Sequence, residues 1–215
     1  MPSANPKITR QDGKPRFEFR IWDRSLSDLK ELMDKVSGPR PAEHSREIYI
    51  VSDATDATNT KIRAGAMDIK ILLRTDQGLE QWQPYLKADF PIDSRLVAES
   101  IFPALRVDPP ELGTQPFTAE LFVETVVNPH PRLVALELGK LRRRYVFGGC
   151  AAEFVEVEIG GRMLHSVAVE SDSPRVALDA VAELAIGGRP NISYVRQIKS
   201  ILGRWTNAHQ SSGGR

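Results

Sequence analysis

Residues 133–171 read LVALELGKLRRRYVFGGCAAEFVEVEIGGRMLHSVAVES and hold three strand-like runs, 133–146, 151–159 and 162–171. Gly148-Gly149 and Gly160-Gly161 join them. Paired glycines supply the positive backbone angles of tight hairpins, so the segment is an antiparallel meander. Its charges fall on alternate residues. Lys140, Arg142 and Arg144 share one side of the first run. Glu156 and Glu158 share one side of the second, with Val155, Val157 and Ile159 opposite. Glu170 stands with Ser166 and Ala168 on the third, with Val167 and Val169 opposite. These are the two faces of strands with a period of two. Glu153 has the other parity from Glu156 and Glu158 and is left out of the acidic set.

Residues 16–22 (RFEFRIW) alternate in the same way, with Phe17, Phe19 and Ile21 on one side and Glu18 and Arg20 on the other. Runs at 47–52 and 58–63 read as strands, and Gly65 marks a tight turn into 67–74. Lys61 and Arg63 share a face there, as do Asp68 and Lys70. Ser25 opens a helix carrying Leu26, Leu29, Leu32, Met33 and Val36, closed by Gly38-Pro39. Leu79, Trp82 and Leu86 predict a short helix, and Asp93 or Ser94 caps a second through Leu105, limited or kinked by Pro103. A strand is expected at about 118–127. After the meander, Pro174 begins a helix and Asn191 caps a last one. This order predicts an α+β fold with a largely antiparallel sheet. One domain is expected over 16–203, between a loose segment at 1–15 and a flexible tail at 204–215.

Composition removes several classes of function. The 215 residues carry 29 Lys+Arg against 28 Asp+Glu, a net charge of +1, so a general nucleic-acid coat is not expected. A single cysteine, Cys150, excludes an intrachain disulfide and a cysteine-based metal site. His44, His130, His165 and His209 lack ligand spacing, and there is no Gly-rich phosphate loop or Gly-x-Ser-x-Gly elbow. No apolar run is long enough for a membrane span, and the N-terminus has no apolar signal core, so a cytoplasmic protein is expected.

Two architectures accommodate strands with one apolar and one charged face. An open sheet turns its charges to water. A closed barrel of about eight strands turns them inward, with helices packed outside and no free strand edge. A channel lined by bases and carboxylates suits a polyanion with bound divalent cations, the bases taking phosphate oxygens and the carboxylates taking Mg2+ or Mn2+.

Several motifs, in order over residues 16–203, resemble the CYTH superfamily, also called triphosphate tunnel metalloenzymes. Arg16-Phe17-Glu18-Phe19-Arg20 resembles its opening Glu-x-Glu-x-Lys strand. Lys61-Ile62-Arg63 with Gly65 and Ile69-Lys70 resembles its basic hairpin, and Lys140 to Tyr145 its Lys-x-Arg-x-x-Tyr strand. Residues 153–158 resemble the acidic strand that follows, and 167–172 the closing Glu-x-Glu strand. Asn191-x-Ser193-Tyr194 is similar to a C-terminal motif of some members.

The resemblance implies a closed antiparallel tunnel. It implies phosphate binding by Arg20, Lys61, Arg63, Lys70, Lys140, Arg142 and Arg144, and binding of Mg2+ or Mn2+ by Glu18, Glu156, Glu158 and Glu170. It implies metal-dependent hydrolysis of inorganic triphosphate, a nucleoside triphosphate or thiamine triphosphate. An adenylyl cyclase and a non-catalytic polyphosphate- or nucleotide-binding barrel are the alternatives. Three positions depart from the pattern: Arg16 and Ala168 stand where the family has carboxylates, and Arg20 stands for the usual lysine.

Overall fold

The computed structural model describes Ile8–Thr9 and residues 13–203. Its strands are β1 (Ile8–Thr9), β2 (Arg16–Asp23), β3 (Glu43–Ser52), β4 (Thr58–Arg63), β5 (Ala66–Asp76), β6 (Leu79–Asp89), β7 (Leu133–Phe147), β8 (Cys150–Ile159) and β9 (Arg162–Ser171). Its helices are α1 (Ser27–Ser37), α2 (residues 94–105), α3 (residues 119–127), α4 (Pro174–Glu183) and α5 (Tyr194–Leu202). The sheet order is β1-β6-β2-β9-β8-β7-β3-β4-β5, and β6 pairs also with β5. Strands β2 to β9 therefore form a closed, eight-stranded antiparallel barrel in an α+β fold. No described helix is long and apolar enough to cross a membrane. The tail expected at 204–215 lies outside the described residues, as does most of the segment expected at 1–15.

The chain divides into two units, Met1–Arg16 with Arg46–Leu138, and Phe17–Ser45 with Gly139–Arg215. In the first unit, Ala64-Gly65 and Gln77-Gly78 turn β4 into β5 and β5 into β6, each pair with positive φ. Ile50, Ile62, Met67, Ile69, Leu86 and Ala88 form one face, packed with Ile101 and Phe102 of α2 and Phe122 and Val126 of α3.

Two expectations fail in this unit. Residues 79–89 are a strand, because the Gln77-Gly78 turn folds them back along β5, from Asp76↔Leu79 to Ala66↔Asp89. Pro84 sits at a register shift of that ladder, where a missing donor is tolerated. Residues 119–127 are helical instead of extended, since Thr118 accepts a hydrogen bond from the Leu121 amide and the apolar residues fall on one helical face. The cap expected at Asp93 is present, its Oδ1 accepting from the Leu96 amide at 2.7 Å. Helix α2 passes through Pro103 after a π-helical turn over Val97–Ile101.

In the second unit, the meander forms as expected. Gly148-Gly149 and Gly160-Gly161 all have positive φ. The ladders run Glu18↔Glu170, Arg20↔Ala168, Glu153↔Ala168, Arg142↔Val155 and Arg144↔Glu153. Directly paired residues share a face, so the charged face is set rung by rung. The other face carries Phe19, Ile21, Phe154, Val167 and Val169, all buried, and α4 packs on β8 and β9. Helix α1 is tied to β7 by the Tyr145 hydroxyl, which donates to Asp34 Oδ1 at 2.8 Å. Burial, helped by the Asp34 carboxylate, pushes the Tyr145 phenol up to about 12.

Candidate functional site

Arg20 on β2 and Lys140 and Arg142 on β7 are 5%, 3% and 9% exposed, on one face of the second unit's β2-β9-β8-β7 sheet. Burying three cations is unfavourable unless opposite charge and polar partners receive them. Arg20 donates from Nε to Glu18 Oε1 (2.8 Å), from Nη1 to Ser166 Oγ (3.0 Å) and from Nη2 to Glu153 Oε1 (2.8 Å). Arg142 Nε lies 3.2 Å from the second oxygen of Glu153. Tyr194 completes the arrangement, with the Arg20 guanidinium 4.6 Å and the Lys140 ammonium 3.8 Å from its ring centroid. An aromatic face attracts such cations.

The electrostatics follow from that geometry. Burial would raise the Glu153 pKa, but the charges of Arg20 and Arg142 outweigh it and hold the carboxyl down at about 2. Burial likewise opposes the charge on Arg20, and Glu18 and Glu153 more than offset it, raising its pKa.

The segment before α5 holds the site together. Asn191 Oδ1 accepts from the Arg20 amide at 2.9 Å, and its Nδ2 donates to the Glu18 carbonyl at 3.0 Å. The Ile192 amide donates to the Arg20 carbonyl, and Trp22 Nε1 donates back to the Ile192 carbonyl. Ser193, not Asn191, caps α5, accepting from the Arg196 amide. Tyr194 is thus delivered beneath Arg20 and Lys140, edge-on to Trp22 at 4.8 Å. Asn191→Ala removes two hydrogen bonds to β2 and is expected to cost about 2 kcal/mol in urea unfolding. A loss below about 0.5 kcal/mol would contradict this role.

The expected acidic set divides. Glu18 and Glu170 face each other on one rung of β2 and β9. Glu156 and Glu158 do not join them. Register places Glu153 opposite Arg144 and Val155 opposite Arg142, so Glu156 points to the face of Phe154. There it accepts from Arg143 Nη1 at 2.7 Å, while Glu158 is exposed. Val155 and Val157, expected on the purely apolar face, are instead buried between the charged residues. Arg144 shares the face of Arg142, but its side chain is 62% exposed and pairs with Glu43 at 3.2 Å.

The first unit carries a separate charged face. Glu47 is fully buried, with Lys61 Nζ at 3.1 Å and Arg63 Nη1 at 3.9 Å. Arg63 also donates to Asp68 at 3.0 Å, and Lys61 lies 5.6 Å above the Tyr49 ring. Lys70 pairs on the ladder with Asn59, on the same face as the rung joining Lys61 and Asp68. Burial lowers the Lys61 pKa against the pull of Glu47. The expectation that Lys61, Arg63, Asp68 and Lys70 occupy charged faces holds here, and Glu47 and Tyr49 are additions.

Among the described residues, no group of three or more His, Cys, Asp or Glu is gathered to hold a metal ion. The Glu18 and Glu170 pair is a smaller set of hard oxygen donors. It fits Mg2+ or Mn2+ in the mode where one or two carboxylates share the ion with substrate phosphates and water.

No protein-family model matches the sequence, and no curated protein is significantly similar to it. Solved structures do match. A candidate adenylate cyclase from Bacillus halodurans aligns at 11% identity with a TM-score of 0.51, covering 87% of this chain and 98% of its own. A candidate adenylyl cyclase from Hippeastrum, whose dominant activity is that of a triphosphatase, aligns at 15% identity with a TM-score of 0.49, covering 86% of this chain and 95% of its own. The first likeness shows the fold, the closed tunnel barrel that the motifs resemble.

Proposed function

We propose that the chain is a divergent CYTH-type protein that binds a triphosphate through Arg142, Lys140 and Arg20 and hydrolyses it, with Glu18 and Glu170 holding Mg2+ or Mn2+. The carrying observation is the burial of these three cations on one charged face. Phosphoryl transfer asks the protein chiefly for positioning and charge neutralisation. Arg142 offers a planar fork to phosphate oxygens and Lys140 a compact charge. Arg20 acts mainly through its partners, since each of its three nitrogens already donates, to Glu18, Ser166 or Glu153. The metal ion, when bound, supplies charge neutralisation at phosphate and a more acidic water. Lys61, Arg63 and Lys70 remain proposed phosphate groups of the other unit, and Arg144 a peripheral one. Glu156 and Glu158 are not carried into this metal set.

The test is phosphate release from tripolyphosphate, a nucleoside triphosphate and thiamine triphosphate, with Mg2+ or Mn2+. Arg142→Met is expected to lower kcat/KM by about 100-fold, by analogy with removing one transition-state donor. Unchanged turnover would overturn the assignment. Cyclic AMP in place of orthophosphate would select the cyclase reading. Binding without turnover is the second reading, favoured by Ala168, whose methyl stands on the charged face between Arg20 and Glu153. Calorimetric binding of tripolyphosphate with no phosphate release would establish it.

A further inference from the structure

Glu153 touches both guanidinium groups on the charged face of the second unit. One oxygen accepts from Arg20 Nη2 at 2.8 Å, and the other lies 3.2 Å from Arg142 Nε. Its side chain is 22% exposed. A carboxylate placed in this way occupies positions beside both guanidiniums that a phosphate's oxygens would take, hydrogen-bonded to Arg20 and ion-paired with Arg142. The residue facing it on β9 is Ala168, which contributes no charge of its own to that rung. The acidic group between the two arginines therefore comes from β8.

We propose that Glu153 is a resident counter-ion that an incoming phosphate displaces, so that it sets the affinity and anion selectivity of the site. This rests on the reading of the site as a triphosphate site. Its physical content is competition. With phosphate absent, Glu153 keeps the guanidiniums paired and the cluster folded. With phosphate bound, the anion takes over Arg142 and part of Arg20, and Glu153 must give up its hydrogen bond to Arg20 and its ion pair with Arg142. Binding energy is spent on the exchange, so the native site favours ligands with several negative oxygens over orthophosphate. Glu153 is accordingly a positioning residue.

The experiment compares wild type with Glu153→Gln, which keeps the shape and removes the charge. Tripolyphosphate binding is measured by calorimetry in EDTA, and the melting temperature is measured with and without saturating tripolyphosphate. The expected result is binding at least about tenfold tighter in Glu153→Gln, with a smaller preference for tripolyphosphate over orthophosphate. The variant should also melt lower than wild type without anion and gain more from its addition, because a ligand of the folded state stabilises it. If Glu153→Gln does not fold without anion, Glu153→Asp, which withdraws the carboxylate by one methylene, carries the comparison with the same sign. Equal or weaker binding by the variant, with wild type binding normally, would overturn the counter-ion role and leave the triphosphate reading intact. Tight binding by the variant with no hydrolysis by wild type would support the counter-ion role and count against catalysis. No binding by either protein, in EDTA or with Mg2+ or Mn2+ supplied, would overturn both.

Discussion

Arg20→Met is expected to destabilise the protein by about 3–5 kcal/mol, the range for removing one partner of a buried ion pair. The side chain is 6% exposed and bonded to Glu18, Ser166 and Glu153. Methionine fills much of the same volume, so the loss is electrostatic more than steric. It leaves Glu18 and Glu153 with reduced compensation, and a buried charge without its partner is unfavourable. Arg20→Lys separates charge from geometry. An ammonium keeps the positive charge but cannot present three donors in one plane to three acceptors. It is expected to recover only part of the loss. This also gives a physical reason for arginine at a position where the resembling family has lysine: Glu153 and Ser166, on two other strands, need the reach of the fork. Equilibrium unfolding in urea measures each variant. A methionine variant within about 1 kcal/mol of wild type would show that the cluster does not hold the barrel wall together.

Much of this arrangement was legible in the sequence because strands have a fixed period. The alternation of residues 16–22 placed Glu18 and Arg20 together, and the glycine pairs at 148–149 and 160–161 announced the meander. Glu153 is not marked by the pattern of its own strand. Val155 and Val157 look like core residues, so the alternation alone points to Glu156 and Glu158 as the acidic face. A two-residue turn at Gly148-Gly149 fixes Phe147 opposite Cys150, and counting back from it puts Glu153 opposite Arg144. The signal was therefore present, but it lay in the turn and not in the strand. Residues 79–89 fail for a related reason. Leu79, Trp82 and Leu86 have helical spacing, yet the Gln77-Gly78 hairpin and the ladder to β5 decide the conformation. Glu47 could not be found in this way. Its burial depends on being packed with Lys61 and Arg63 from the adjacent strand, and a lone glutamate in EIYIVS carries no mark of that.

Acid is expected to remove about 3 kcal/mol of stability through Glu153 alone. The carboxyl is held at about 2 in the folded protein, against 4.5 as its usual value. The folded form thus binds the proton more weakly than the unfolded chain. The stabilisation is fully present above pH about 4.5, declines as the unfolded chain takes up its proton, and is gone once pH falls through about 2. Asp23 and Asp34 also have lowered pKa values, from hydrogen bonds at the surface, so the raw acid curve mixes several groups. The difference between wild type and Glu153→Gln isolates one. That difference should be about 3 kcal/mol at pH 6 and shrink toward zero near pH 2, as wild type becomes neutral at the same position. Salt should weaken it little, because the pair is mostly shielded from water. A difference that stays constant from pH 6 to pH 2 would mean that glutamine perturbs packing alone. The guanidiniums of Arg20 and Arg142 would then be stabilised by groups other than the Glu153 charge, and the account of the site as a set of arginines held ready by one carboxylate would fail.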